Sequence, residues 1–193
     1  MDEKINSIEE SFQIINRIID DEKVRLNENG FIYLFWGWLT IFCAAAQSLL
    51  IYLEVEKHYY IWFVMLVGWV YTMFYFGRKK ERKPMPLMGR VLAFVWNVAA
   101  VNIFIFSFVF PITAGQLLMF FILTILGLAA SISGMLIRFQ WLTLGGLLCN
   151  ALAFTTIVLE PKFWNLILIF AIIFAIIIPG YMLRAKYRKQ NVQ

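Results

Sequence analysis

Residues 116–159 read QLLMFFILTILGLAASISGMLIRFQWLTLGGLLCNALAFTTIVL and carry a single charged side chain, that of Arg138. A helix needs about 20 apolar residues to cross a hydrocarbon core of roughly 30 Å, and this stretch is about twice that length. One crossing cannot hold it, so Arg138 must mark a turn. The sequence therefore predicts a tight hairpin of two membrane-spanning helices, over 116–137 and 139–159.

Four more apolar stretches flank the hairpin, at 31–53, 59–76, 91–110 and 163–183. No Asp, Glu, Lys, Arg or His occurs in any of the six stretches, and none alternates with the period of two that marks a barrel strand. Because backbone groups in lipid must be satisfied internally, helices are the remaining solution. The expected fold class is all-α: a polytopic membrane protein with a six-transmembrane-helix bundle over 31–183. Five spans are the alternative if the hairpin is re-entrant.

The overall composition indicates that few residues lie outside the membrane. Of 193 residues, 62% are hydrophobic and 15% are charged, whereas an ordinary soluble domain has about 25% charged residues. The longest aqueous pieces are residues 1–30 and the loop between the second and third spans, and a short basic tail covers 184–193. A separate soluble catalytic, receptor or nucleic-acid-binding domain is therefore excluded.

The lysines and arginines lie almost entirely on one side of the predicted bundle. Of the 17, only Lys57 and Lys162 fall on the side opposite the N-terminus. Positive residues beside spans stay in the cytoplasm, so both termini are expected there. We therefore interpret the net charge of +5 as the consequence of basic residues that set the orientation in the membrane, and we expect no nucleic-acid partner. The first 30 residues lack the pattern of a secretory signal, so the first span is expected to act as an uncleaved anchor.

An amphipathic helix is predicted over residues 1–28, before a hinge that ends at Gly30. Interfacial helices usually carry Lys and Arg on their polar face, but this segment is rich in acids, so anionic headgroups would repel it. We expect it to contact the protein's own basic cytoplasmic surface, the same helix of a second copy, or another cytoplasmic protein. Its candidate assembly face has heptad-like spacing and consists of Ile5, Ile8, Phe12, Ile15 and Ile19.

The predicted spans contain no ionisable residue of the kind that marks proton relays or ion paths. Ser107, Ser131 and Ser133 have no acid or histidine partner there, so no catalytic residue, cofactor or metal site is predicted. One interpretation of the polar side chains is hydrogen bonding between helices, and the other is a polar cavity for a small neutral or lipid-like ligand. The candidate intramembrane polar contacts are Asn97, Asn102, Thr124 and Asn150.

Two further patterns concern how the spans pack. Small residues recur at four-residue spacing in the hairpin, which allows close backbone approach. The last span is apolar all round over 166–178, which favours a helix that largely faces lipid. Pro179 and Gly180 then form a candidate helix break, because proline removes the hydrogen bond to the carbonyl of Ala175. We interpret it either as a bend at the cytoplasmic end or as a broken helix that exposes carbonyls to a cation, as in transporters.

Several local motifs resemble those of a family of small bacterial multi-pass membrane proteins of unassigned function, across nearly the whole chain. The resemblance implies a bacterial inner membrane and supplies no site residue. The motifs are Phe35-Trp36-Gly37-Trp38-Leu39 after the acidic helix, the basic loop from Arg78, Ser133-Gly134 with the turn Ile137-Arg138-Phe139 leading to Gly145-Gly146, and Ile178-Pro179-Gly180-Tyr181-Met182-Leu183.

The sequence therefore favours a non-enzymatic protein of the lipid bilayer that acts through assembly, either as a homo-oligomer or with a cytoplasmic protein bound to the N-terminal helix. The alternative is a small-molecule or lipid transporter or channel, with its path between the amide-bearing spans. A cavity that contains Asn102 and Asn150 would favour transport. A dry, fully packed bundle would favour assembly.

Overall fold

The computed structural model describes residues 30–78, 87–110 and 114–190, and in these ranges it contains helices and no strand. The all-α expectation is confirmed. The predicted N-terminal helix, with its assembly face from Ile5 to Ile19, lies outside the described residues. Most of the basic loop between the second and third predicted spans lies outside them as well.

Seven α-helices occur in the described ranges, with short 3-10 and π segments between them. The α-helices are α1 (Gly30–Tyr52), α2 (Val64–Arg78), α3 (Leu87–Phe104), α4 (Leu118–Leu136), α5 (Gln140–Val158), α6 (Trp164–Ile172) and α7 (Ile178–Gln190). The 3-10 segments are His58–Phe63, Gly115–Leu117 and Pro161–Phe163, and the π segments are Ile105–Val109 and Ile173–Ile177. Because the helical run from Pro161 to Gln190 is continuous, we refer to it as the last helix.

Five helical stretches are long and apolar enough to cross a membrane, and their bounds lie within two residues of predicted spans. They are Phe31–Tyr52, Gly89–Val109, Leu118–Leu136, Gln140–Val158 and Pro161–Ala185. The predicted span over 59–76 is not among them. Most of it divides into the 3-10 segment His58–Phe63 and α2, which has 15 residues.

The helices pack as a row of neighbours. In that row α2 packs on α1, α1 on the last helix, the last helix on α5, α5 on α4, and α4 on α3. The last helix is the most buried span, at 56%, and its side chains Leu168, Ala171 and Ile172 are fully enclosed. The expectation that residues 166–178 largely face lipid is therefore wrong. A helix that is apolar on all sides suits enclosure by other helices as well as by lipid, and its composition does not distinguish the two.

The turn between α4 and α5 is as tight as the sequence predicts. Arg138 adopts a left-handed conformation, with φ at +52°. Its amide donates to the Met135 carbonyl at 3.1 Å, and the amide of Phe139 donates to the Gly134 carbonyl at 2.8 Å. These are the two bonds of a Schellman motif, which satisfies carbonyls at a helix end. Helix α1 ends with the same pair of bonds, around Glu54 at φ +55°.

Small residues bring α4 and α5 into backbone contact, as predicted. A Cβ atom added to Gly127 would lie 2.7 Å from the carbonyl oxygen of Gly146. One added to Gly146 would lie 2.5 Å from the backbone nitrogen of Ser131, and one on Gly134 would meet the backbone of Thr143. These distances are shorter than any real Cβ contact, so each position requires glycine.

A second side of α5 makes an equally close contact with the last helix. A Cβ on Gly145 would lie 2.7 Å from the carbonyl oxygen of Phe174 and 2.8 Å from the Cα of Ala175. Both atoms belong to the π segment Ile173–Ile177. The helix then continues through Pro179 and Gly180 to Gln190. A wide π turn before a proline is one way in which a helix accommodates the missing N–H group.

Gly145→Leu is expected to destabilise the bundle by about 3 kcal/mol, because the new side chain would overlap backbone atoms that cannot rotate away. Ala151→Leu is the matched control, since Ala151 is exposed on the same helix. Thermal unfolding in detergent measures both variants. Equal melting temperatures for the two would contradict the contact between α5 and the last helix.

Arg138→Gly is expected to stabilise the fold by about 1 kcal/mol, because a left-handed backbone strains any residue that carries a Cβ atom. Arg138→Ala removes the same guanidinium group but keeps the Cβ atom, so it should show no such gain. Chemical unfolding in mixed micelles compares the two. If both variants gain equally, the side chain rather than the backbone conformation is the source of the effect.

Candidate functional site

The amides inside the spans bond to their own helices. The side-chain nitrogen of Asn97 donates to the Ala93 carbonyl at 2.7 Å, and that of Asn102 donates to Val98 at 2.8 Å. Asn150 donates in the same way, to the carbonyl four residues earlier. The expectation of hydrogen bonds across helices is therefore not met by these three nitrogens. A short amide side chain in a helix reaches the preceding turn without help from a neighbour, and lipid offers it no competing partner.

The four candidate polar residues do not form one site around either of two clefts found in the described chain, because none of them lines either cleft. Asn150 packs into the hairpin, where its side-chain nitrogen would lie 2.7 Å from a Cβ on Gly127. Thr124 and Asn102 are half-buried, whereas Asn97 is exposed on α3. The fold thus separates these residues by environment, and Asn97 alone presents an amide to the surroundings of the bundle.

Tryptophan side chains do make hydrogen bonds between helices. The indole nitrogen of Trp96 on α3 donates to the hydroxyl of Ser133 on α4 at 3.0 Å. Ser133 is fully buried and donates to the Ala129 carbonyl at 2.7 Å. The ring of Tyr33 on α1 meets Trp96 edge-on, with centroids 5.6 Å apart. Sequence reasoning missed this cluster, although a tryptophan N–H inside a span always needs an acceptor.

A second polar cluster holds the 3-10 segment His58–Phe63 against α1. The indole nitrogen of Trp62 donates to the side-chain oxygen of Gln47 at 2.9 Å. Because an indole can only donate, this bond fixes which end of the amide is the oxygen. The amide nitrogen of Gln47 then faces Nδ1 of His58 at 3.2 Å, so Nδ1 accepts.

Both clefts lie at the end of the bundle that carries the turn between α4 and α5, which we call the turn end. One is a narrow gap that admits no water and is lined by Tyr33, Phe139, Leu142, Ile176, Pro179, Gly180 and Leu183. The other is an open groove of about 430 Å³, lined by Arg138, Phe139, Gln140, Trp141 and Met182. We refer to the second as the turn groove.

The polar groups of the described ranges take part mainly in hydrogen bonds within and between helices. His58 is bonded to an amide, and the hydroxyls with assigned bonds donate to backbone carbonyls. Over residues 30–78, 87–110 and 114–190 no group of three His, Cys, Asp or Glu side chains is placed to hold a metal ion. The arrangement can fix helices to one another and can present polar groups at its surface.

Trp62→Phe is expected to destabilise the fold by about 1 kcal/mol, because the oxygen of Gln47 loses its donor. Gln47→Leu should cost a similar amount. If the two side chains act as a pair, the double variant costs less than the sum, with a coupling near 1 kcal/mol in a double-mutant cycle of thermal unfolding. Trp69→Phe, on the exposed face of α2, is the control. Strict additivity would contradict the pairing.

Comparison with known proteins gives no relative from which a role can be transferred. No family model matches the chain, and no curated protein or solved structure matches it. The resemblance to small bacterial multi-pass membrane proteins therefore rests on its local motifs alone. The function has to be argued from the groups that the fold presents.

Proposed function

We infer that the protein is a non-enzymatic membrane protein of the bacterial inner membrane that acts through assembly, with α3 pairing against α3 of a second copy. The observation that carries this inference is the exposed amide of Asn97 near the middle of a span. Lipid cannot satisfy an amide, whereas the same amide on a second copy can.

The position of Asn97 on α3 supports pairing through that helix. The span that contains α3 is the least buried of the five, at 11%. Its exposed side is formed by residues at helical spacing around Asn97, namely Ala93, Phe94, Val101 and Phe104. Ala93 is small, which allows a second helix to approach closely. Asn97 thus lies at the centre of a face that no described part of the chain covers.

The chemistry of an amide favours a two-fold arrangement. The nitrogen of Asn97 has one bond to Ala93, and no donor within the described chain meets its oxygen. Across a two-fold axis each Asn97 oxygen accepts from the nitrogen of its counterpart, so one residue type satisfies both sides. Such bonds in membranes contribute about 0.6 kcal/mol, and at most about 2 kcal/mol.

The proposal includes six spans with both termini in the cytoplasm. The 3-10 segment His58–Phe63 and α2 together rise about 34 Å, which is enough to cross the hydrocarbon core. A sixth span keeps the basic segments on one side, as the charge distribution requires. The apolar assembly face of the N-terminal segment, Ile5, Ile8, Phe12, Ile15 and Ile19, then lies in the cytoplasm, available to a second copy or to another protein.

A transport path between the amide-bearing spans is the other function expected from the sequence. No contact of Asn102 or Asn150 favours it, because each amide nitrogen is bonded to its own helix and neither residue lines the two clefts. We therefore do not propose it.

Asn97→Leu is expected to weaken self-association by about 3-fold to 30-fold, which corresponds to the 0.6 to 2 kcal/mol range above. Energy transfer between labelled copies in liposomes, measured over a range of protein-to-lipid ratios, gives the dissociation constant. Asn102→Leu is the matched control, because Asn102 lies on the same helix about 140° away and is half-buried.

Asn97→Gln keeps an amide at the position and should retain most of the affinity. If Asn97→Leu and Asn102→Leu both associate as the unchanged protein does, pairing through α3 is wrong. Deletion of residues 2–26 tests the other surface. A loss of association in the deletion alone would assign assembly to the N-terminal helix.

A further inference from the structure

The turn groove combines a cation with an apolar wall at the level of the membrane boundary. Arg138 and Gln140 supply its polar side, and Phe139, Trp141 and Met182 supply its apolar side. Trp141 is 57% exposed, which suits an indole at the interface between water and hydrocarbon. The groove is formed where α5 begins and α7 runs beside it.

The guanidinium of Arg138 has no carboxylate within reach in the described chain. Glu160 follows the far end of α5, and the 19 residues of that helix separate it from Arg138 by about 28 Å. Glu54 and Glu56 follow the far end of α1, whose other end packs on Gly180 at the turn end. Among the described residues, the positive charge of Arg138 is therefore not compensated by a carboxylate at the groove.

The backbone fixes the point at which the Arg138 side chain leaves the turn, beside the groove. Arg138 is fixed by the two hydrogen bonds of the Schellman motif, and the neighbouring Phe139 is buried, at 8% exposure. Because the turn is already ordered, binding of a ligand has to order only the side chain of Arg138 and not the backbone that carries it. The turn thus carries a strained backbone with a charged side chain where glycine would be the least strained residue.

We propose that the turn groove binds the headgroup of one anionic phospholipid. The phosphate accepts hydrogen bonds from the guanidinium of Arg138, for which a paired, planar geometry is well suited. The amide of Gln140 lies on the same side of the groove and donates to a second oxygen. Trp141 and Met182 cover the beginning of the acyl chains, which a free phosphate ion would leave without contact. This site is independent of pairing through α3.

The test uses the purified full-length protein in a zwitterionic detergent. It is titrated with dioleoyl phosphatidylglycerol and, separately, with dioleoyl phosphatidylcholine, and bound lipid is counted by native mass spectrometry. The unchanged protein should retain phosphatidylglycerol in preference. Arg138→Ala should lower its affinity for phosphatidylglycerol about fivefold, the change expected for one basic group beside an anionic lipid.

Arg90→Ala is the charge-matched control, because Arg90 is exposed near the start of α3 and does not line the groove. It should leave the preference for phosphatidylglycerol unchanged. Arg138→Gly separates binding from folding, since it should lose the lipid while its melting temperature does not fall. Equal losses in Arg138→Ala and Arg90→Ala would overturn the proposal in favour of a diffuse surface charge. Displacement of the lipid by millimolar inorganic phosphate would also overturn it, because the groove would then take a soluble anion.

Discussion

The structure depends on two glycines of α5, each of which lets a neighbouring helix approach to backbone contact. Gly145 and Gly146 are adjacent in sequence but point about 100° apart around the helix, so one admits the last helix and the other admits α4. Without a glycine at each position, α5 could not lie between two partners at backbone contact. In lipid, where helices gain little from burying apolar surface, such close contact is a main source of cohesion.

The polar groups of the bundle divide by the reach of their side chains. The side-chain nitrogen of asparagine bonds to a carbonyl of its own helix. Burial of Asn102 and Asn150 in the membrane therefore costs little free energy, and these bonds do not link one helix to another. Tryptophan carries its N–H group away from its own backbone, and Trp96 and Trp62 therefore bond to other elements. The exposed amide of Asn97 has an oxygen without a donor in the described chain, and that free acceptor is the basis of the proposal that α3 pairs with a second copy.

Five of the six predicted spans, their bounds and the tight turn were predictable, because apolar length and a lone charge are local properties of the sequence. The burial of the last helix among the other helices was not predictable, since an apolar helix surface suits contact with lipid and contact with protein equally well. The sequence singled out the polar residues of the spans but did not predict their hydrogen-bond partners. Which carbonyl an asparagine reaches depends on side-chain length, and the bond from Trp96 to Ser133 requires two helices whose register the sequence does not encode locally.

Two helix ends place a charged residue in the left-handed conformation, Glu54 after α1 and Arg138 after α4. A glycine would end either helix with less strain, but it would leave the end free to move along the membrane normal. Glutamate and arginine cannot enter hydrocarbon, so each fixes the depth of its helix from one face of the bilayer. With depth set from both faces, a change in bilayer thickness has to be absorbed by tilting of the whole bundle rather than by sliding of single helices.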